Sequence, residues 1–127
     1  MVYLKFFGDT CIDECNRTVA SLISDPEWRS GLGLLIDNSG ITSYRGGFSK
    51  LQWLCAQIEE SGAFDDCAAP VAYYSPSDLG FGVARMAQQV LSSRLPLEIH
   101  VFRDEAQALA RLGQRETRLA DLFAATA

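Results

Sequence analysis

Strand-like and helix-like patterns alternate four times along this 127-residue chain, which predicts an α/β protein with a four- or five-stranded, mostly parallel sheet and helices packed against it. Two observations reinforce that class. Gly33-Leu34-Leu35-Ile36-Asp37 is a short, continuous apolar run, the pattern of a strand covered on both faces. Proline, glycine and short polar residues fall between the periodic segments, where turns and caps need them.

The first strand is read from Val2, Leu4 and Phe6 alternating with Tyr3, Lys5 and Phe7, with Gly8-Asp9-Thr10 expected to break it. Thr10 and Asp13 form a capping-box-like start for a helix that buries Ile12, Val19, Leu22 and Ile23. Asp25-Pro26 ends it, because the residue before proline is pushed out of helical geometry. After the Leu34–Asp37 strand, the polar, glycine-rich stretch from Asn38 to Gly47 is expected to be a loop. Phe48, Leu51, Leu54, Cys55 and Ile58 recur at the helical period, and Ser61-Gly62 closes that helix. Pro70 to Tyr74 is the third strand, with proline at its first residue. Ser77 is the expected cap of a helix burying Leu79, Val83, Met86, Val90 and Leu91. Leu97 to Phe102 alternates as the last strand, and Asp104 caps a helix that Gly113 terminates. Residues 1–113 therefore read as the α/β domain and 114–127 as a C-terminal helical tail carrying Leu119, Leu122 and Phe123.

Composition bounds function. The chain is 48% hydrophobic and 21% charged, enough for a self-sufficient core. Its net charge of −5 and the lack of a basic stripe argue against nucleic acid. No secretory signal pattern or membrane-length apolar run is seen, so a cytoplasmic protein without a membrane span is expected. In that compartment Cys11, Cys15, Cys55 and Cys67 are expected to be free thiols. Two thiols one helical turn apart and the single histidine, His100, fall short of a closed metal site. No cofactor is expected.

Four segments give the chain a resemblance. They are Asp25-Pro26-Glu27-Trp28-Arg29-Ser30-Gly31, Leu34-Leu35-Ile36-Asp37, Gly82-Val83-Ala84-Arg85-Met86, and Val101-Phe102-Arg103-Asp104 running on to Ala108-Leu109. In that order the chain resembles the short bacterial SpoIIAA-like (STAS-type) proteins over roughly residues 1–113. The resemblance implies an α/β fold of that type and a binding or regulatory role. In related anti-sigma-factor antagonists a serine at a helix start is phosphorylated. Ile36 to Thr42 follows their pattern, but Arg45-Gly46-Gly47 stands where they carry Asp-Ser-Ser. The acceptor hydroxyl is missing there; Ser43 or Ser49 could substitute, though nothing in the spacing demands it.

Ligands of open α/β sheets gather beyond the carboxyl ends of the strands. That rule picks out Asp37, Ser39, Tyr44, Gly46, Gly47 and Phe48 after the second strand, and Ser75, Ser77, Asp78, Phe81 and Arg85 after the third. Gly46-Gly47 would present backbone N–H groups to an anion. Tyr44, Phe48, Tyr73, Tyr74 and Phe81 would border a shallow apolar pocket. Arg85 would hold a carboxylate or pair with Asp37 or Asp78. The first functional expectation is a non-enzymatic module contacting a protein partner or a second copy as a homodimer. The alternative is a carrier or sensor of a small amphipathic ligand between the sheet rim and the Arg85 helix. An enzyme built on Asp37, Ser77 and Arg85 is the third and most distant reading, since no nucleophile–base–orienter set can be assembled.

Overall fold

The computed structural model describes residues 1–28, 32–62 and 69–126. Arg29, Ser30, Gly31, Cys67 and the Phe48 side chain, all named above, lie outside the described residues. The element order is β1 (Val2–Cys11), α1 (Ile12–Ile23), β2 (Leu34–Arg45), α2 (Phe48–Ser61), β3 (Ala69–Tyr74), α3 (Asp78–Ser92), β4 (Leu97–Phe102), α4 (Glu105–Arg111) and α5 (Leu119–Thr126). The four strands form one all-parallel sheet in the order β1-β2-β3-β4. The chain is thus an α/β protein with helices packed against a parallel sheet, as its patterning predicts.

Strand alternation sorts the core into two layers. Leu34, Ile36, Val71, Tyr73 and Ile99 point to one face, where they meet Leu51, Leu54, Cys55 and Ile58 of α2 and Ala84, Ala87, Val90 and Leu91 of α3. Leu35 and Ala72 point to the other and meet Ala108 and Leu109 of α4 and Leu119 and Leu122 of α5. Covering both faces is what lets a parallel sheet carry an uninterrupted Leu-Leu-Ile run. The C-terminal segment is part of that second layer, through Leu119 and Leu122.

Caps fall where the residue chemistry places them. Ser77 Oγ accepts the Gly80 N–H at 3.0 Å, and Asp104 accepts the Ala106 N–H at 3.1 Å. Gly62 ends α2 in the left-handed conformation, φ 68°. After α4, the Gln114 and Gly113 N–H groups close back onto Leu109 and Ala110 carbonyls, each at 3.0 Å.

Four expectations are corrected. Gly8-Asp9-Thr10 does not break β1, and Asn38–Arg45 is not a loop. The two segments pair with each other, carrying β1 and β2 beyond the ends of β3 and β4 as a two-stranded parallel ribbon. The capping box is absent: Cys11 is the N-cap of α1 without a side-chain bond, and the Thr10 hydroxyl turns back to the Phe7 and Gly8 carbonyls. Leu79 is 40% exposed rather than buried, because at the first turn of α3 it is Gly80 that faces the sheet.

Candidate functional site

The ribbon shapes the site. Two register shifts along β1–β2 each put an extra residue into β2. A bulge resets the alternation of faces. As a result Asn38, Ile41 and Tyr44, three residues apart, all line the interior beneath α1, α2 and α3.

That interior holds an apolar cavity of about 100 Å³. α1 supplies Ile12, Cys15, Val19, Leu22 and Ile23 to its wall, and α3 supplies Val83, Met86 and Ala87. Only Ile12 of α1 is fully buried, so this helix covers the cavity without filling it. Its N-terminus is seated by Gly46: a Cβ there would stand 2.8 Å from Ile12 Cβ. Among the described residues Asn38 is the one lining residue with a side-chain amide. It is 2% exposed, and its Nδ2 finds no hydrogen-bond partner among the described residues. Beside it, α3 comes close through Gly80, where a Cβ would lie 3.1 Å from the Asn38 carbonyl oxygen.

Asp37, one residue earlier, points to the opposite face. Its Oδ1 accepts the Ser39 N–H at 2.8 Å and its Oδ2 accepts the Tyr3 hydroxyl at 2.5 Å. Burial, then the bond and charge of Asp37, holds the Tyr3 hydroxyl well above the usual phenol range, so it stays a donor. Asp37 is thus a buried carboxylate committed to fixing the turn into the ribbon.

The residues singled out after β3 form a clamp rather than a pocket. Arg103 donates to the Pro76 carbonyl at 3.1 Å, pairs with Asp78 at 2.9 Å and lies 4.4 Å over the Phe81 ring. It ties the end of β4 to the start of α3 and explains the physical use of Val101-Phe102-Arg103-Asp104. Arg85 does not meet Asp37 or Asp78: it donates to Gln88 Oε1 at 2.9 Å, and Gln88 Nε2 donates to the Ile99 carbonyl at 2.8 Å. Ser75 is fully buried with its Oγ unpartnered among the described residues, while its N–H donates to the Phe102 carbonyl at 2.8 Å.

The aromatic set is divided by the sheet. Tyr44 and Tyr73 line the cavity, Tyr74 packs on the α4–α5 face, and Phe81 sits under Arg103. Gly46 and Gly47 border a separate open cleft of about 500 Å³ with Cys11, Arg45, Ser49 and Lys50, where neither α1 nor α2 has a side-chain cap. Lys50 there is paired with Asp13 at 2.9 Å. His100 is exposed on β4 and stacks on Phe102.

Sequence reasoning passed over Asn38, Tyr3 and Arg103. Asn38 stood in an assigned loop, and the signal that would have found it is the apolar Ile41 and Tyr44 following at matched spacing. Among the described residues no group of three or more His, Cys, Asp or Glu side chains is placed to hold a metal, and no helix is long and apolar enough to cross a membrane. Comparison with known protein families, curated proteins and solved structures returns no match.

Proposed function

We propose that the chain is a non-enzymatic, cytosolic binding module of STAS type that carries or senses a small amphipathic ligand. Its receiving space is the cavity between the sheet and α1, α2 and α3, the last being the helix that bears Arg85. The observation that carries this reading is an apolar interior space whose lining, among the described residues, includes one buried side-chain amide, that of Asn38. A well-packed core leaves few voids larger than a water, so a space of about 100 Å³ under a half-buried helix is unusual for a purely structural layer. The space is below the roughly 300 Å³ of pockets for drug-sized molecules, so the ligand is small or only partly enclosed. Asp37, Ser77 and Arg85 each serve a neighbouring structural group, which disfavours the enzyme reading. Native mass spectrometry of the intact chain, incubated with a small-molecule extract of its own host, tests the proposal. A bound low-mass species, lost when Val83→Phe fills the space, is expected. Ligand-free protein throughout would overturn it.

A second reading, a partner strand or a second copy, draws on the outer edge of β1. Among the described residues no strand lies beside that edge, and Phe7 on it is 71% exposed. Sedimentation of the wild type against Phe7→Glu checks it: a dimer that dissociates in the variant is expected, and a monomer in both removes the reading.

A further inference from the structure

We infer that the ligand is a compact uncharged molecule bearing an oxygen acceptor, held with that oxygen against Asn38 Nδ2 inside the α1–α3 cavity. The inference rests on the cavity being the binding site, as proposed above, and adds the chemistry of what enters.

Leaving a buried amide N–H unpaired costs on the order of 1–3 kcal/mol. Four buried side-chain atoms among the described residues lack a partner: Asn16 Oδ1, Asn38 Nδ2, Ser75 Oγ and Arg111 Nε. Only Asn38 also lines the cavity. Among the described residues no group of the folded chain accepts from that Nδ2. The free donor calls for an acceptor.

The rest of the wall sets the charge of the guest. Among the described residues no ionisable acid or base other than thiol and phenol groups lines the space. Burial raises Tyr44 to about 12 and Tyr73 well above the usual phenol range, so both remain neutral hydroxyls. A carboxylate or ammonium entering here would lose its hydration without gaining a counter-charge. A carbonyl oxygen loses less and recovers a hydrogen bond. Size follows from volume. A cavity of about 150 Å³ lined by apolar side chains admits benzene; about 100 Å³ therefore takes a group of roughly four or five non-hydrogen atoms before α1 must yield.

Three probes of matched shape separate these terms: butanone, 2-methylbut-1-ene and propionate. Each is titrated into the full chain with methyl and side-chain amide resonances followed by NMR. Butanone is expected to move the Asn38 side-chain amide protons, and the alkene is expected to shift the surrounding methyls without moving them. The butanone-to-alkene affinity ratio is expected to fall about tenfold in Asn38→Leu. Asn38→Ala gives the same loss of preference should the leucine variant not fold. Propionate at neutral pH is expected to bind at least tenfold more weakly than butanone. An unchanged ratio in both variants, a still Asn38 amide with butanone, or tighter binding of propionate would overturn the inference while leaving the cavity as a binding site. Silence from all three probes would remove the cavity reading with it.

Discussion

The two faces of the sheet are built differently. On the α4–α5 side, Leu35, Ala72, Ala108 and Leu109 are wholly inaccessible to solvent, and small residues alternate with large ones. On the α1–α3 side the residues are larger and more numerous, yet they leave a cavity, and Cys15, Val19 and Leu22 of the covering helix are only partly buried. Both layers grow from the same strands, one from the odd and one from the even positions of each apolar run. The difference teaches that apolar content alone does not set packing. Close approach does: Ala72 and Ala108 are both fully buried in the α4–α5 layer, whereas of α1 only Ile12, against Gly46, is fully buried. The dense face supplies rigidity, and the open face supplies room.

Truncation should break the dense face first. Leu109→Ala is expected to cost about 3–5 kcal/mol in urea unfolding, because a tightly packed site cannot collapse onto the space left behind. Val83→Ala, which only enlarges an existing space, is expected to cost about 1 kcal/mol. Enlargement sharpens the comparison with the opposite sign. Ala72→Val is expected to cost about 1–3 kcal/mol through overpacking, while Val83→Ile is expected to be neutral or stabilising by up to about 1 kcal/mol.

How much of this was legible in the sequence follows from the range of the interactions involved. Helix limits were readable because local chemistry sets them: proline after Asp25, glycine at 62 and 113, and the capping oxygens of Ser77 and Asp104. The central strands were readable because alternation or a continuous apolar run survives in each. The ribbon was not. Its pairing joins Phe7–Cys11 to Gly40–Arg45 across the chain, and its bulges replace the two-residue period with a three-residue one. Asp37 was correctly placed at the strand end, but its partner Tyr3 lies 34 residues away, and no local pattern joins them. The cavity was invisible for a deeper reason: a space is the mismatch of many side chains from several elements, and no single segment encodes it.

Polar groups probe each of the two layers in turn. Tyr3→Phe strands Asp37 Oδ2 in a buried site and is expected to cost about 1–3 kcal/mol, seen as a lower urea midpoint. The pH response should be smaller still. Burial, then Cys11 and Glu14, pushes the Cys15 thiol up to about 11, and burial, then Cys15 and Cys11, pushes Tyr44 up to about 12. Raised values favour the protonated forms in the folded state. Their contribution is full below the unfolded-state values, near 8.5 for a thiol and 10 for a phenol. It is lost as pH rises through 11 and 12. The urea midpoint should therefore decline over that alkaline range, and less steeply in Cys15→Ala.

Methyl NMR of the intact chain under xenon pressure tests the unequal packing of the two layers most directly, since xenon enters apolar space and needs no hydrogen bond. Shifts are expected at Ile36, Leu51, Val71 and Ile99, with Leu35, Leu109, Leu119 and Leu122 unmoved. Equal shifts in both sets, or none in either, would contradict an open face set against a dense one.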